Sequence, residues 1–345
     1  MANRSAAPVA LPAIPGQTLE QHLIHRQRTL DQASGELTSL FSQISLAAKI
    51  IASQVSKAGL AGILGLTGEV NVQGEEVKKL DLFANTTLIR CVQQGGCVAV
   101  MGSEEVEEPI AIPEPYPCGK YVLQFDPLDG SGNIDINASI GTIFSIHRRV
   151  TPSGTRGTLE DLLQPGRDIV AAGYVIYGSS NMFVYSMGPA DGVHGFTYDP
   201  SIGEFFLSHP NIEIPSRGDT YSINEGNTHK WEPGVRRWVD WVKQDDGDRK
   251  AYRLRYIGAM VADVHRTLLN GGIFVYPPDR KNPRGKLRLL YEASPLAFVT
   301  EAAGGAASTG SERVLDVVPG ALHERTSLYI GSKDDVADAV RIVAG

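Results

Sequence analysis

The sequence has few cysteines, no long apolar run and no cluster of positive charge, and each absence argues against a class of protein. Its three cysteines, Cys91, Cys97 and Cys118, are odd in number and lack CxxC spacing, which argues against a disulfide framework and a thiolate zinc site. No apolar run approaches the roughly 20 residues of a transmembrane helix. We therefore expect a cytoplasmic protein without a membrane-spanning segment.

The balance of charge argues against nucleic acid as a partner. Acidic residues outnumber basic ones by 39 to 32, the net charge is -7, and the Lys and Arg residues are scattered along the chain. A nucleic-acid-binding protein concentrates its basic residues on one face. An anionic substrate would therefore need local help from metal ions or from a few clustered cations.

Length and composition predict a globular chain of two lobes. With 345 residues, of which 42% are hydrophobic, the chain is long enough to bury a substantial core. Prolines interrupt residues 1–17, so we expect a flexible N-terminal tail there rather than a secretory signal. A Pro-containing stretch near 208–216 suggests a boundary between an N-terminal lobe, 18–208, and a C-terminal lobe, 209–345.

Periodicity predicts alternating helices and strands, and hence an α/β chain. Apolar residues at helical spacing indicate an amphipathic helix over 34–55 and a second helix over about 75–94, with Asp81 on its apolar stripe. Further helices are predicted over 235–243, 260–269 and 296–303, and strands over 97–101, 121–125, 142–146, 170–177, 182–186 and 272–276. Two of these strands lead directly into acidic residues.

The segment YVLQFDPLDGSGNID, which begins at Tyr121, is the most informative part of the sequence. A strand with a buried pattern runs into Asp126 and Asp129, which stand three residues apart around a proline, and the following glycines allow a close backbone approach to a ligand. Glu104 and Glu105 follow another predicted strand, so we expect the acidic pairs to meet at one end of a sheet. Carboxylate oxygens suit hard cations such as Mg²⁺, which also relieve the repulsion between them.

Each acidic motif also has an ordinary structural interpretation. Asp-Pro and Asp-Gly are common in turns, and Ser-Glu-Glu is common where an exposed loop begins. Asp81 shifts the balance, because a carboxylate on an apolar helix face must be paired, protonated or bound to a metal ion. The combination therefore favours a metal site over three unrelated surface features.

Several motifs resemble those of class I fructose-1,6-bisphosphatases, which belong to the lithium-sensitive phosphatase superfamily. These motifs are GEEVKKLD, SEE, DPLDGSGNID, YSINEG, RYIGAMVADVHR, GGIFVYP and GKLRLLYE. DPLDG alone reaches only the superfamily, which includes inositol monophosphatases, whereas the later motifs narrow the resemblance to the bisphosphatase. It extends from about residue 19 to the C-terminus and implies stacked mixed sheets and helices in αβαβα layers. The implied reaction is hydrolysis of the 1-phosphate of D-fructose 1,6-bisphosphate.

The resemblance also implies roles for individual acidic residues. The implied ligands of two or three Mg²⁺ ions per subunit, with Mn²⁺ as a substitute, are Glu104, Asp126, the backbone carbonyl of Leu128, Asp129 and Glu292. The residues implied in orienting and deprotonating the attacking water are Glu105, Asp81 and Glu75. On pattern alone Glu292 would be a solvated residue beside a helix, so its assignment rests on the family.

Substrate and effector residues follow from the same resemblance. The residues implied to bind the sugar bisphosphate are Asp129, Gly130, Ser131, Asn224, Arg255, Tyr256, Tyr276 and Lys286. The residue at the position of Arg255 reaches in from a neighbouring subunit in this family, which implies at least a dimer, and the family resemblance implies a homotetramer. Those implied for an AMP effector are Ser34, Gly35, Glu36, Thr38, Lys120 and Tyr121. A helix N-terminus is a ready phosphate site, but plain capping of the helix by Ser34 explains the same residues equally well.

Three positions depart from the family pattern, and two rival functions stay open. Gly132 replaces a serine, Glu75 an aspartate and Ala259 a serine, which bears on reaction rate rather than reaction type. One rival is a bisphosphatase that also accepts sedoheptulose 1,7-bisphosphate. The other is a non-catalytic, metabolite-responsive interaction protein, against which the presence of Glu105 and Asp81 argues.

Overall fold

Helices and strands alternate along the chain, and the computed structural model describes residues 16–27, 35–57, 65–70, 76–247 and 249–345. The α-helices, numbered in chain order, are α1 Leu19–Gln27, α2 Glu36–Val55, α3 Lys79–Gln93, α4 Leu159–Leu162, α5 Pro233–Val242, α6 Met260–Asn270, α7 Ser294–Ala302 and α8 Lys333–Ala344. Short 3-10 helices occupy Ser131–Ile136, Gly166–Asp168, Glu225–Lys230 and Val314–Asp316, and a π-helical turn occupies Leu289–Ala293. Within those ranges, none of the helices combines the length and apolar character needed to traverse a bilayer.

The strands form two large mixed sheets and two small ones. In chain order the strands are β1 Leu66–Val70, β2 Glu76–Lys78, β3 Val98–Ser103, β4 Ile110–Ala111, β5 Tyr121–Asp129, β6 Ile140–Arg148, β7 Ile169–Tyr177, β8 Asn181–Ser186, β9 Val193–Asp199, β10 Glu204–His209, β11 Thr220–Ser222, β12 Arg253–Leu254, β13 Ile273–Tyr276, β14 Leu287–Arg288, β15 Ala306–Ser308, β16 Arg325–Thr326 and β17 Leu328–Gly331. The eight-stranded sheet has the order β10-β9-β8-β7-β6-β5-β3-β4, and the five-stranded sheet has the order β12-β11-β13-β17-β15. The pairs β1-β2 and β14-β16 form the two small sheets.

Alternation along the strands separates the hydrophobic core into layers. In β6, Phe144 packs with the apolar faces of α2 and α3, whereas its neighbour Ile143 packs with α6 and α7 on the other side of the eight-stranded sheet. In β13, Phe274 faces that same middle layer, whereas Val275 packs with α5 and α8. The order is therefore helices, large sheet, helices, small sheet, helices, as the αβαβα prediction required.

The helix predicted over 34–55 is confirmed in its described part, α2. Its apolar residues recur three and four positions apart, and Leu40, Phe41, Ile44 and Ile51 are fully buried against the large sheet. Gly35 precedes the helix with φ of 77°, a conformation that favours glycine. Ser34, its proposed capping residue, lies outside the described residues.

Two predicted boundaries are wrong, both next to acidic residues. The second helix begins at Lys79 rather than at 75, because Lys78 is extended and its N–H donates to Asp81 Oδ2 at 3.2 Å, which caps the first turn. The strand predicted to end at Phe125 continues to Asp129, paired with β6 through an irregularity between Asp126 and Asp129. Proline at 127 removes one ladder donor, and its carbonyl accepts the Thr142 hydroxyl at 2.8 Å.

The pairing of β3 with β5 brings distant acidic residues together. These strands are parallel neighbours in register from Val98 and Tyr121 to Ser103 and Phe125. The N–H of Glu104 donates to the carbonyl of Phe125 at 3.2 Å. Glu104 therefore enters the same edge of the sheet as the acids of β5, as the sequence predicted.

Candidate active site

A cavity of about 420 Å³ lies at this edge of the large sheet. Its acidic lining residues are Asp81, Glu104, Glu105, Asp126, Asp129 and Glu292. The other lining residues are Leu128, Gly130, Ser131, Gly132, Tyr256, Gly258, Met260, Phe274, Tyr276, Lys286, Leu287 and Arg288. The ends of β3 and β5, the starts of α3 and α6, β13, β14 and the π-helical turn all contribute, so the cavity lies between the two large sheets.

Three buried carboxylates form its tightest cluster. Asp126, Asp129 and Glu292 each place an oxygen within 4.8 Å of the other two. Asp126 and Asp129 come from β5, whereas the π-helical turn brings Glu292 across, with the backbone N–H of Arg288 donating to its Oε2. Such turns are frequent at functional sites because they re-aim a side chain out of the ordinary helical repeat. The oxygens have the donor type and the spacing that a hard divalent cation takes.

Burial makes negative charge costly in this cluster. Burial and then the charge of Glu104 raise the pKa of Asp129 to about 7, and the N–H of Val261, which donates to Asp129 Oδ2 at 2.7 Å, opposes this shift. Burial and then the charges of Glu104, Asp129 and Glu292 raise the pKa of Asp126 well above its usual range. A divalent cation would remove this cost, because it neutralises carboxylates that otherwise hold protons.

Asp81 and Glu105 form a second acidic pair beside the cluster. Asp81 is only 3% exposed. Burial, together with the charge of Glu105, raises its pKa to about 7, and the N–H of Lys78 opposes the shift. Among the described residues its Oδ1 has no hydrogen-bonding partner, although it is buried. The prediction that Asp81 lies on a buried helix face is thus confirmed, and Asp81 also lines the cavity.

Arg288 is a cavity residue that sequence reasoning missed. Its side chain is 5% exposed, and its Nη2 lies 3.1 Å from Glu104 Oε1. The sequence feature that could have indicated its burial is the presence of a single cation within the apolar run LRLLYE. A buried Arg is uncommon unless it is paired, so that pattern predicts a buried acid nearby but does not say which one.

Hydroxyl and ammonium groups line the same cavity as the acids. Tyr256, Tyr276 and Lys286 all line the cavity. Burial, and then the neighbouring Tyr276, raise the pKa of Tyr256 to about 12, so its hydroxyl keeps its proton and can donate to an anion. Asn224 joins these groups through a side-chain hydrogen bond to Tyr256.

Gly130 and Ser131 line the floor of the cavity after β5. Gly130 has φ of 78°, and a 3-10 helix follows from Ser131 to Ile136. The two residues stand where a backbone turn can present N–H groups to a ligand. This placement agrees with the predicted phosphate cradle.

The family resemblance assigns Arg255 to the cavity of a neighbouring subunit rather than to that of its own chain. Arg255 is exposed, its Nη1 donates to the carbonyl of Leu254 at 2.8 Å, and it does not line the cavity of its own chain. Glu75, the third proposed catalytic acid, lies outside the described residues.

The described residues among those predicted for AMP, which exclude Ser34, lie at the far end of β5 from the acids. Lys120 Nζ lies 3.2 Å from Glu36 Oε2 and 5.6 Å from the centre of the Tyr121 ring. Gly35 and Thr38 stand in the same first turn of α2, and Arg148, absent from the prediction, lies 5.7 Å from the Tyr121 ring. Because β5 rises about 3.3 Å per residue, Tyr121 is roughly 17 Å from Asp126, the first cavity acid of that strand.

A layered α/β chain whose buried carboxylates share one cavity with phenolic and cationic side chains has the architecture of a hydrolase of phosphate esters. Residues 17–210 match the family model described as Fructose-1-6-bisphosphatase, N-terminal domain, and residues 214–344 match Fructose-1-6-bisphosphatase, C-terminal domain. The chain belongs to the fructose-1,6-bisphosphatase family, as its motifs predicted. That family implies a divalent metal cofactor, which the donor set of the cavity fits.

Individual relatives agree along almost the whole chain. The fructose-1,6-bisphosphatase class 1 of Chlorobium chlorochromatii is 55% identical over 329 residues, which cover 95% of this chain and 98% of that protein. The class 1 protein of Chlorobium luteolum is 54% identical over the same length. The crystal structure of Leishmania major fructose-1,6-bisphosphatase in holo form superposes with a TM-score of 0.88 and 41% identity, covering 95% of this chain and 99% of that one.

Proposed function

We propose that the chain hydrolyses the 1-phosphate of D-fructose 1,6-bisphosphate, giving fructose 6-phosphate and orthophosphate. The observation that carries the proposal is the mixed lining of the cavity. Its carboxylates suit a cation-assisted phosphoryl reaction, and its Tyr256, Tyr276 and Lys286 suit a second phosphate on a polyol. The class 1 relatives carry the same activity in their names.

The ligands that we propose for the divalent cations, two or three Mg²⁺ per subunit with Mn²⁺ as a substitute, are Glu104, Asp126, the carbonyl of Leu128, Asp129 and Glu292. The close oxygens of Asp126, Asp129 and Glu292 support this assignment. When bound, the cations supply positive charge to the phosphoryl oxygens and ease the deprotonation of water. Arg288 supplies further positive charge through its contact with Glu104.

The residues of the chain hold the water and accept its proton. The water oxygen forms the new bond to phosphorus as the bond to the sugar oxygen breaks, and the sugar oxygen leaves with a proton as a hydroxyl. Glu105 is the proposed proton acceptor, and Asp81, with its pKa near 7, orients the water beside it. Glu75 is the third member of this group in our proposal.

The sugar and its unreacted phosphate bind to residues other than the acidic ones. Ser131 and the N–H groups near Gly130 receive the transferred phosphate, and Tyr256, Tyr276, Lys286 and Asn224 hold the remainder. The outward position of Arg255 supports its use by a neighbouring subunit, and hence a homotetramer in which each site borrows one arginine. We place this assembly in the cytoplasm.

The cluster at the start of α2 is our proposed AMP site. The phosphate would lie at the N-terminus of α2 beside Lys120, whose Nζ is 3.2 Å from Glu36 Oε2 in the first turn of that helix. Millimolar AMP is expected to lower the rate of phosphate release. An unchanged rate, measured with saturating Mg²⁺, would contradict this assignment without affecting the proposed reaction.

Phosphate release from fructose 1,6-bisphosphate is the test of the proposed function. The purified chain should release one phosphate, cease to do so with EDTA, and recover when Mg²⁺ is added in excess. The product should be fructose 6-phosphate rather than fructose 1-phosphate, which a coupled isomerase and dehydrogenase assay distinguishes. No phosphate release with Mg²⁺ or Mn²⁺ present would overturn the proposal.

A further inference from the structure

Asp263, in the first turns of α6, makes contacts that the reaction scheme does not use. We propose that it is a positioning residue, whose buried carboxylate fixes residues 255–258 so that Tyr256 faces the unreacted phosphate of the substrate. This inference rests on the proposed function. It concerns the geometry of one wall of the cavity rather than the chemistry at the other.

The carboxylate of Asp263 is completely buried and heavily bonded. It is 0% exposed, and it accepts the N–H of Ile257 at 3.0 Å and the N–H of Gly258 at 3.3 Å. The Ser222 hydroxyl donates to it at 2.8 Å, and Arg266 Nη1 lies 3.0 Å away in an ion pair. The Asp263 side chain therefore links residues 255–258, called the substrate-side segment below, to β11 and to α6.

The segment that it holds has little packing of its own. Residues 253–258 are all exposed in this chain, including Leu254, Tyr256 and Ile257. Their apolar side chains contribute little burial on the cavity side, so hydrogen bonds must define the path of the backbone. Besides the Asp263 bonds, the anchors are the N–H of Arg255 on the Tyr221 carbonyl at 3.0 Å and Asn133 Nδ2 on the Ile257 carbonyl at 3.2 Å.

Two of the residues held in this way reach the cavity. Tyr256 and Gly258 line it, and Tyr256 is hydrogen-bonded to Asn224. The bonds from Asp263 fall on Ile257 and Gly258, the two residues after Tyr256. A shift of that backbone would displace the Tyr256 hydroxyl directly, because no other flexible element separates them.

The effect on the acidic side of the cavity is expected to be smaller. Helix α6 touches Asp129 through the N–H of Val261, and the charge of Asp263 raises the pKa of Asp129 only after burial and the charge of Glu104. The helix has its own apolar face, in which Val261, Val264 and Leu268 are buried, and these hold it against the sheets. Loss of the Asp263 carboxylate should therefore weaken substrate binding more than the chemical step.

A purely structural role is the competing explanation, and a matched variant separates the two. Asp161 is also 0% exposed and also accepts backbone N–H groups, those of Val150, Thr151 and Thr158 at 2.8 to 2.9 Å, but it does not line the cavity. Asp161→Asn and Asp263→Asn thus remove the same buried charge from the same kind of network. Only Asp263→Asn changes the acceptor of the Ile257 and Gly258 N–H groups, because the amide offers them either an NH₂ group or a weaker oxygen acceptor.

The experiment compares wild type, Asp263→Asn and Asp161→Asn with saturating Mg²⁺. Wild-type turnover of fructose 1,6-bisphosphate is measured first, so that a failure of the proposed function is recognised separately. For Asp263→Asn we expect KM to rise by at least about tenfold while kcat changes by less than about threefold. The Kd for fructose 6-phosphate, measured by titration calorimetry, should rise in parallel. Asp161→Asn should lower the melting temperature and leave KM and this Kd at wild-type values.

The inference is overturned if Asp263→Asn folds and keeps the wild-type KM, or if Asp161→Asn raises KM as much. Should Asp263→Asn not fold, Ser222→Ala takes its place, since it removes a single donor to the same carboxylate. We then expect a rise in KM of about threefold with kcat retained. An unchanged KM in that variant overturns the inference in the same way.

Discussion

Arg288 and Glu104 form an ion pair inside the candidate active site, with 3.1 Å between Nη2 and Oε1 and both side chains largely buried. The pair joins β14 to the end of β3 and offsets one charge of the acidic wall. Divalent cations and Arg288 therefore serve overlapping purposes, because each neutralises carboxylates that burial would otherwise penalise.

That overlap predicts a metal-dependent effect of Arg288→Met on stability. Without metal, Glu104 loses its partner in a buried site, and we expect the free energy of unfolding to fall by about 3 kcal/mol. With saturating Mg²⁺ the loss should be less than half as large, because the cations take over the neutralisation. Urea unfolding with EDTA and with Mg²⁺ measures both values.

The pair of Arg313 with Glu301, whose side chains are 46% and 17% exposed, is less buried and supplies the control for that measurement. Its atoms lie 2.6 Å apart. Arg313→Met should cost less than about 1 kcal/mol under either condition. If Arg288→Met lowers the free energy of unfolding equally with EDTA and with Mg²⁺, the cations do not replace Arg288 in neutralising Glu104.

Glu105→Gln tests the proposed proton acceptor. The amide keeps the shape of the side chain but cannot accept the proton of the attacking water, so we expect kcat to fall by about 10²- to 10⁴-fold. Mg²⁺ binding, followed by calorimetric titration, should be nearly unchanged, because Glu105 is not among the proposed ligands. The exposed neighbour Glu108 gives the control, Glu108→Gln, with wild-type kcat expected. Retention of kcat in Glu105→Gln would remove Glu105 from the mechanism.

The part of the fold that sequence predicted well is the part governed by local periodicity. The apolar spacing of α2 and the uniform burial of β5 are each visible within a short window. The acids that follow β3 and β5 were also predictable as neighbours, because the two strands are adjacent and parallel. Their convergence was predicted from the two strand ends alone, because residues that follow neighbouring strands meet at one end of a sheet.

The rest depends on contacts between residues far apart in the chain. Nothing local indicates that Arg288 pairs with Glu104, or that a π-helical turn carries Glu292 to the acids of β5. The early start assigned to α3 fails for a related reason. The helical pattern of apolar residues continues upstream of Lys79, but the residues just before Lys79 form β2, which pairs with β1.

Lys286→Met tests the wall proposed for the unreacted phosphate. Lys286 lines the cavity, and loss of its charge removes a charge-assisted contact with a dianion. We expect KM for fructose 1,6-bisphosphate to rise by about tenfold and kcat to change by less than about threefold. Lys281, an exposed residue of the same loop that does not line this cavity, gives the control Lys281→Met, which should keep the wild-type KM. If Lys286→Met and Lys281→Met have the same KM, the assignment of Lys286 to substrate binding is wrong.

A buried histidine far from the reaction predicts how stability depends on pH. His194 is 1% exposed, its Nδ1 accepts the N–H of Asn211 at 3.1 Å, and Arg26 Nη2 lies 3.0 Å from its Nε2. Burial, together with the charge of Arg26, lowers its pKa from 6.5 to about 4, and a hydrogen bond to Asp191 opposes this shift. The folded protein therefore keeps this ring neutral over a range in which the unfolded chain protonates it.

The sign of the effect follows from that difference in proton binding. The stabilising contribution is complete above pH 6.5 and is lost as pH falls from 6.5 toward 4, by at most about 1.4 kcal/mol per pH unit. In His194→Asn, which keeps an acceptor near the Asn211 N–H, the free energy of unfolding should fall less steeply with acid than in wild type. Urea unfolding at several pH values from about 7 to about 5 measures the two slopes. The active-site carboxylates contribute equally to both proteins and cancel in the difference. His229→Asn, at an exposed site, should retain the wild-type slope, and identical slopes for all three proteins would contradict the assignment of acid sensitivity to His194.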